Sequence, residues 1–402
     1  MKKSKFLKTA ASLCAIGAVG LAVSPLAQAL NLTVVNQNPN YTNDQVYVRF
    51  QDVVCDGIQS NKSYKISELP KPMVIKRAAG RIFVSLGEPL QSNGPDFFDC
   101  PPSANAAQHH DYNTRWDKVE WTIDNSPTQC ANLSSSDFFS VPLQISDGSR
   151  TLKWNKSTAE IFSKVSDFAK NNDKAIHKPS DTTNSKTVNG ILRVVAPSTV
   201  PSDSAAYPRM TDYIDSLKGK TTRIEGKVFD GSNNHYAFDA TFAPDGALVM
   251  TGVATTTDGK ATVSGGRSIR VEAGELPVGG IYRCNPVANG NPAFIVPNPS
   301  DRVAVADACA LRDVLAGLNF GFFNSPVDNM GAGPSTKWHV DKSKAYAGAQ
   351  PQSSPLKPLF NYYASIIAEG GDSYGFPFTD TFVHKPLLML GGKNMTLTVL
   401  PD

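Results

Sequence analysis

The sequence has little net charge once its first segment is set aside. Its 402 residues include 39 lysines and arginines and 36 aspartates and glutamates, which gives a formal net charge of +3. Residues 1–29 contain four lysines and no acidic residue, so subtracting those four charges from +3 leaves −1 for the remainder. A nucleic-acid partner requires a basic surface that neutralises phosphates. The composition therefore indicates no nucleic-acid partner.

The sequence also lacks the spacings that are typical of metal and cofactor sites. It contains no C-x-x-C and no H-x-x-x-H pattern. The adjacent residues His109 and His110 lie in a stretch with loop composition, and neighbouring side chains of an extended segment point to opposite sides. We therefore expect solvent-exposed histidines there, and neither a metal nor a cofactor.

Cysteine is scarce as well. Outside residues 1–29 the chain has five cysteines, and an odd number leaves at least one thiol without a partner in the chain. Disulfides do persist in exported proteins. Cys284 and Cys309 fall within the same predicted region and are a candidate pair.

No apolar run is long enough to anchor the chain in a membrane. A spanning helix requires about 20 apolar residues, and the run at residues 9–23 is shorter. It follows four lysines and precedes Ala27-Gln28-Ala29, which is the pattern of a secretory signal peptide. We predict that residues 1–29 are removed and that the protein is secreted, outside the cell or into the periplasm, without a membrane anchor.

Short strands dominate the remaining pattern. Residues 46–50, 81–86, 191–195, 373–380 and 395–400 predict strands, and the 30 glycines and 28 prolines favour many turns. Helical periodicity occurs at residues 157–169, 211–218, 301–319 and 360–370, and Ser157 with Glu160 forms a capping box. Gly219 and Gly370 are the expected helix ends.

These elements predict a mainly β fold with an insertion. Residues 30–152 form a β region, residues 153–336 mix helices with strands, and residues 337–402 return to β structure. We therefore predict a β-sandwich or barrel that is interrupted by a mixed α/β domain.

Two carboxylates stand close together in residues 118–143. One face of the predicted strand at residues 118–124 is apolar, and its other face carries Glu120, Thr122 and Asp124. Asp137 follows three serines shortly afterwards. Hydrolysis of a sugar linkage uses such a carboxylate pair. The residue types alone favour a solvated strand face and a turn cap over a catalytic pair.

Five segments of the sequence together carry a resemblance to a known family. They are VEWTID, NLSSSDFFSVPL, the pair Leu318-Asn319, NYYASIIAE and SYGFPFTD, spread over most of the chain. Together they resemble glycoside hydrolase family 64, a family of β-1,3-glucanases. The resemblance implies a thaumatin-like β-sandwich or barrel, with a substrate groove between it and the inserted domain.

The resemblance also implies site residues. The family carries its chemistry on a glutamate and an aspartate whose matching positions are Glu120 and Asp137. The residues implied to contact the glucan are Thr122, Asp124, Ser134, Asp111, Asn113, Tyr374 and Asp380. The sequence departs from the family at Thr379, where an Asp is usual, and at Tyr112, which replaces a proline. An aromatic residue expected at residues 126–131 is absent, and Cys130 stands there.

The family inverts the anomeric centre, so the resemblance implies two different roles. Glu120, beside Trp121 and near the acidic Asp124 and Asp380, would be the protonated general acid, and Asp137 the ionised base. The expected partner is a laminarin-like β-1,3-glucan polysaccharide, and the chain is expected to act as a monomer. One alternative is a thaumatin-like protein that binds β-glucan without turnover, which the departures favour. Another is a structural or adhesive surface protein.

Overall fold

The computed structural model describes most of the chain, in thirteen segments. These are residues 29–91, 111–124, 129–180, 186–200, 206–227, 235–255, 262–292, 302–324, 334–339, 345–346, 359–382, 386–390 and 394–402. The predicted signal peptide, apart from Ala29, and the histidine pair His109 and His110 lie outside these residues.

Strands are the main element of the described residues. In chain order they are β1 (Leu30–Asn36), β2 (Val46–Cys55), β3 (Ser63–Lys65), β4 (Met73–Leu86), β5 (Arg115–Ile123), β6 (Cys130–Ser134), β7 (Phe138–Phe139), β8 (Leu143–Ser146), β9 (Thr151–Leu152), β10 (Ile176–His177), β11 (Arg193–Val195), β12 (Thr221–Lys227), β13 (His235–Phe242), β14 (Leu248–Thr255), β15 (Thr262–Val271), β16 (Val287–Ala288), β17 (Asn291–Pro292), β18 (Ser373–Tyr374), β19 (Leu388–Met389) and β20 (Asn394–Val399). The α-helices are α1 (Thr158–Phe168), α2 (Thr211–Leu217), α3 (Ile281–Arg283), α4 (Arg302–Phe320) and α5 (Tyr362–Gly370). The prediction of a mainly β protein is confirmed.

An eleven-stranded sheet forms the larger part of the fold. Its central order is β18-β6-β5-β4-β1-β20-β8-β9, with β19 also paired to β6, β2 paired to β4, and β3 paired to β2. β1 runs parallel to β20, so that Leu32 lies opposite Met395. The beginning and the end of the described chain therefore share one sheet, as the predicted return to β structure requires.

The first hydrophobic core lies on one side of this sheet. It combines inward residues of β1, β2, β4 and β5 with α1 and with the three-stranded sheet β10-β11-β7. α1 begins as predicted, because the Ser157 hydroxyl accepts a hydrogen bond from the Glu160 amide at 3.2 Å. Its apolar residues Ile161, Phe162 and Val165 are buried in this core. The helix expected to open the inserted domain thus packs on the first core.

A second core lies between α4 and a six-stranded sheet with the order β12-β13-β14-β15-β16-β17. Along β13, Tyr236 and Phe238 are buried and alternate with the exposed His235 and Asp239. This alternation is typical of an antiparallel sheet with one covered face. In α4, a β-carbon at Gly317 would lie 2.6 Å from the Trp338 ring, so only glycine permits this close contact. None of the described helices is long and apolar enough to cross a membrane.

Asn319 joins the two cores through buried hydrogen bonds. At the end of α4, its side-chain nitrogen donates to the Ile281 carbonyl at 2.7 Å, and its side-chain oxygen accepts from Asn361 at 2.8 Å. Asn361 in turn caps α5, because its side chain accepts from the Ala364 amide. The helices of the two cores are therefore held together by satisfied buried amides.

We expect the variant N319A to lower the free energy of unfolding by about 2–4 kcal/mol, because it leaves the buried Asn361 amide and the Ile281 carbonyl without partners. Urea unfolding followed by circular dichroism measures this. The matched control is N394A, since the bond between Asn31 and Asn394 is solvent-exposed. Equal midpoints for N319A and the wild type would contradict the inferred role of Asn319.

The predicted aromatic strand at residues 373–380 is much shorter in the structure. Only Ser373–Tyr374 forms a strand, and the chain turns at Gly375. A β-carbon at Gly375 would lie 2.7 Å from the backbone of Ala364, so the turn packs directly on α5. The Thr379 hydroxyl closes the turn by accepting hydrogen bonds from the Gly375 and Phe376 amides, both at 3.2 Å. The strand prediction is wrong because these local bonds replace pairing with a neighbouring strand.

The candidate disulfide between Cys284 and Cys309 is also wrong. Both residues are buried, and no disulfide joins them. The Cys284 sulfur contacts the side chain of Asn319 at 3.5 Å. Cys309 precedes Asn319 on α4 by nearly three helical turns. The two thiols therefore lie at different levels of the second core.

Candidate active site

One face of the large sheet carries a row of polar side chains. Because alternate residues of a strand share a face, Lys118, Glu120 and Thr122 lie on the same side of β5. Arg81 of β4 lies directly opposite Glu120, and Asn132 of β6 lies opposite it on the other side. Three neighbouring strands thus place an arginine, a glutamate and an amide side by side.

The Glu120 carboxylate is held by both of these neighbours. Its Oε1 accepts a hydrogen bond from Arg81 Nε at 3.3 Å, and its Oε2 accepts one from Asn132 at 3.4 Å. Its side chain remains 21% exposed. Trp121, which the sequence interpretation placed beside this carboxylate, points to the opposite side of the sheet and packs near Phe50. The expected apolar neighbour is therefore absent from the surroundings of Glu120, and a cation stands there instead.

Asp137 reaches the same place from the segment after β6. Its Oδ2 lies 3.0 Å from Lys118 Nζ and 4.0 Å from Arg81 Nη2, and its side chain is 18% exposed. Its backbone carbonyl accepts hydrogen bonds from the Ala196 amide at 2.8 Å and from the Thr199 hydroxyl at 3.0 Å. The carboxylate is therefore fixed from both its side chain and its main chain.

The charges around Asp137 determine its protonation. Burial raises the pKa of this carboxyl, but the positive charges of Lys118 and Arg81 outweigh burial, and the pKa lies below its ordinary value. Asp137 is therefore a carboxylate at neutral and mildly acidic pH. This is the state that was expected of a general base, and the cations that produce it were not anticipated from the sequence.

Arg81 sets an upper limit on the separation of the two carboxylates. Its Nη2 lies 3.3 Å from Glu120 Oε1 and 4.0 Å from Asp137 Oδ2. The two oxygens are therefore no more than about 7.3 Å apart, which is the sum of these two distances. Inverting glycosidases separate their carboxyl groups by about 6.5–9.5 Å and retaining ones by about 5–5.5 Å. The limit is compatible with both kinds of chemistry.

The residues predicted beside the pair surround it on the same sheet. Thr122 follows Glu120 on its face of β5 and is half-buried. Ser134 is buried, and its hydroxyl lies 3.2 Å from that of Ser136. Tyr374 pairs in register with Ser134 from β18, and its carbonyl accepts from the Ser135 amide at 2.9 Å. Their contact with a substrate stays a prediction.

Asp124 and Asp380 are both half-buried in the structure. Asp124 directly follows β5, and Asp380 directly follows the turn that Thr379 closes. Their predicted contribution to an acidic groove stays a prediction.

Asp111 and Asn113 lie before the start of β5, at the end away from Glu120. Asp111 is buried and accepts a hydrogen bond from the Gln91 amide at 2.8 Å. The Asn113 side chain exchanges hydrogen bonds with Ser180, to whose hydroxyl it donates at 2.9 Å. Both side chains therefore anchor loops, and their predicted contact with the glucan stays a prediction.

The family departure at Cys130 falls on the same sheet face. Cys130 is buried opposite Thr122 on one side and opposite Met389 of β19 on the other. Met389 is 47% exposed, which makes it an exposed large apolar side chain on this face. At this position the row of side chains on the sheet face therefore continues with the apolar thioether of Met389 and not with an aromatic ring.

Two charged residues of the site, Arg81 and Lys118, were missed from the sequence. Lys118 lies two positions before Glu120, so strand alternation alone assigns it to the same face. Arg81 was within a predicted strand, but its position opposite Glu120 depends on the pairing of β4 with β5. Within the described residues, no group of three or more His, Cys, Asp and Glu side chains could hold a metal ion.

A partly exposed carboxylate pair on the face of a mainly β fold is typical of an acid–base glycoside hydrolase. Residues 27–219 match the sequence profile of glycoside hydrolase family 64, which is described as beta-1,3-glucanase. The resemblance to this family that was inferred from the motifs is therefore confirmed. No significant match to a curated protein was found.

Solved structures share the fold over nearly the whole chain. One is a laminaripentaose-producing beta-1,3-glucanase in complex with laminaritetraose, with a TM-score of 0.55 and 17% identity over 93% of this chain and 99% of that chain. Another is a beta-1,3-glucanase domain (GH64) from Clostridium beijerinckii, with a TM-score of 0.54 and 15% identity over 94% of this chain and 100% of that chain. At these identities the likeness concerns the fold.

Proposed function

We propose that this protein hydrolyses β-1,3-glucan with Glu120 as the general acid and Asp137 as the general base, and that it inverts the anomeric centre. The observation that carries the proposal is the shared contact of Arg81 with both carboxylates, which brings them together while each stays partly exposed. The family match and the laminaritetraose complex of a structural neighbour support the same substrate class.

The chemistry assigns one proton transfer to each carboxyl group. Glu120 donates its proton to the glycosidic oxygen while the bond between that oxygen and the anomeric carbon breaks. A water molecule attacks the anomeric carbon from the opposite side, and Asp137 accepts the proton that this water loses. The cations next to Asp137 support this role because they stabilise its ionised form before the reaction.

The configuration of the first product tests the inverting mechanism. We expect α-configured reducing ends at early times when laminarin is hydrolysed, because a single displacement inverts the β linkage. Proton NMR of the anomeric region, recorded before mutarotation, measures this. Product that appears first in the β configuration would exclude inversion and would favour a nucleophilic role for one carboxylate.

The second candidate function is β-glucan binding without turnover. The ion pairs at Asp137 favour it, because carboxylates engaged by Lys118 and Arg81 are also typical of a purely structural cluster. The non-aromatic Cys130 gives further support. Release of reducing sugar from laminarin separates the two functions. A protein that only binds β-glucan is retained by a laminarin column, or retarded in a gel that contains laminarin, and releases no reducing sugar.

We also propose that the protein acts outside the cytoplasm and as a monomer, with the groove between its two cores as the binding surface. The lysines, apolar run and Ala27-Gln28-Ala29 of the first segment support export. N-terminal sequencing of the exported protein tests the cleavage site after Ala29.

A further inference from the structure

We propose that Lys118 is a positioning residue of this site, which keeps Asp137 ionised and holds its carboxylate at the face of the sheet. The inference rests on the proposed function, because it concerns the group that accepts the proton of water. Lys118 Nζ lies 3.0 Å from Asp137 Oδ2, and the lysine side chain is fully buried while Asp137 stays 18% exposed. Lys118 therefore contacts the carboxylate from beneath and leaves its outer side accessible.

The surroundings of Lys118 explain why it depends on Asp137. Its Nζ lies over the Phe138 ring, 4.4 Å from the centroid, and Phe138 packs edge-to-face with Trp116. Phe83 lies opposite Lys118 on β4 and belongs to the same small cluster. The faces of aromatic rings attract a cation, but a buried ammonium group also requires a nearby anion. Asp137 supplies that anion.

The two cations of the site contact different numbers of carboxylates. Arg81 contacts both Glu120 and Asp137, whereas the ion pair of Lys118 in the described part of the chain is with Asp137. Replacing Arg81 would disturb both carboxylates together. Replacing Lys118 changes the surroundings of Asp137 while Arg81 remains in place, so Lys118 is the residue whose removal isolates the proposed effect.

Several other ionisable groups face this pair and must be considered. Glu120 approaches from β5 and Arg81 from β4, while Tyr363 of α5 donates a hydrogen bond to the Ser135 carbonyl nearby. Asp117 lies behind Lys118 on the other side of β5. Burial raises the pKa of Asp117 to about 6, although Lys118 and three backbone amides oppose this. Any measured titration must therefore be assigned to Asp137 itself.

The experiment replaces the lysine by an uncharged side chain in the variants K118M and K118Q. With the ammonium group gone, burial dominates the protonation of Asp137, so its pKa should rise. We expect the acidic limb of the kcat/KM profile on laminarin to move upward by about one pH unit or more. At pH values below the wild-type acidic limb, activity should then fall about tenfold for each pH unit of the shift, with a smaller loss at higher pH. K118Q keeps a hydrogen-bond donor and serves where K118M fails to fold.

A direct titration supplies a readout that does not depend on turnover. Carbon-13 NMR of protein labelled at aspartate carboxyl groups, with the Asp137 signal assigned through D137N, reports the pKa of Asp137 alone. K164M is the matched control, because Lys164 forms an exposed ion pair with Glu369. It should change neither the profile nor the titration. The double variant K118M/D137N should regain stability relative to D137N and stay inactive.

The outcomes separate the two proposals. A higher pKa of Asp137 together with a shifted acidic limb supports the positioning role. An unchanged Asp137 titration in both Lys118 variants overturns it, and so does a loss of activity that is uniform across pH. If the wild type releases no sugar although Lys118 shifts the titration, the ion pair is real and the proposed function has failed. The role of Lys118 in catalysis then falls with it.

Discussion

The variant E120Q should lose laminarin hydrolysis by about 10²–10⁴-fold in kcat, with little change in KM, because an amide cannot donate the proton that the leaving oxygen requires. The glutamine keeps the size of the side chain, and its oxygen can still accept the hydrogen bond from Arg81. Its NH2 group takes the place of the oxygen that accepts from Asn132, so that bond reforms only if the Asn132 amide turns its own oxygen toward it. Reducing-sugar release under saturating laminarin measures the effect. E225Q is the matched control, because Glu225 lies on β12, away from the large sheet, and forms a partly exposed ion pair with Arg223.

A substrate with a good leaving group tests specifically whether Glu120 acts as the proton donor. A laminari-oligosaccharyl fluoride leaves as fluoride with little need for protonation. We therefore expect E120Q to hydrolyse the fluoride within about tenfold of the wild-type rate while laminarin hydrolysis is lost. Wild-type rates of E120Q on laminarin would remove Glu120 from the mechanism, and equal losses on both substrates would point to a role other than proton donation.

The variant D137N should lose hydrolysis of laminarin and of the activated fluoride alike, by about 10²–10⁴-fold, because the attacking water no longer has a base whatever the leaving group. Azide, which attacks without losing a proton, should restore turnover of the fluoride and yield a glycosyl azide. Mass spectrometry and NMR identify that product. D239N is the control, since Asp239 forms an exposed ion pair with Arg223. Full activity of D137N would exclude this carboxylate as the base.

The same variant should also be less stable. Removing the Asp137 charge leaves the buried ammonium group of Lys118 without its anion, which costs about 3–5 kcal/mol. The pKa of Asp137 is lowered in the folded protein, so its contribution to stability is present above the ordinary carboxyl pKa and disappears as pH falls through the lowered value. The stability difference between wild type and D137N should therefore shrink in acid. Activity must be compared under conditions where both proteins are folded.

Local patterns predicted several elements and faces of this protein. Ser157 caps the start of α1 at the predicted position, because its hydroxyl accepts from the Glu160 amide and this bond joins residues only three positions apart. Gly219 follows α2 with a φ of 76°, a conformation that favours glycine at a helix end. The alternation in β5 correctly placed Glu120 and Thr122 on one face, since the strand period requires no knowledge of the partner strand.

Long-range contacts were beyond the reach of these patterns. The strand expected at residues 373–380 ends at Tyr374 because the turn at Gly375 packs on α5, a helix that lies in a separate segment of the chain. The separation of Cys284 and Cys309 likewise depends on how α4 lies in the second core. Neither the packing of this turn on α5 nor the separation of the two cysteines produces a periodic pattern in the sequence.

The candidate site likewise combines features that the sequence predicts with features that only the tertiary structure shows. The motifs shared with the family, and not the residue types alone, selected Glu120 and Asp137 as candidates and indicated a β-1,3-glucanase family, because such motifs depend on sequence order. The cations beside them follow from strand pairing: the register of β4 with β5 places Arg81 opposite Glu120, and the chain after β6 brings Asp137 onto Lys118. The electrostatic surroundings that set the protonation of Asp137 were therefore decided by tertiary structure, since charges interact through space and not along the chain.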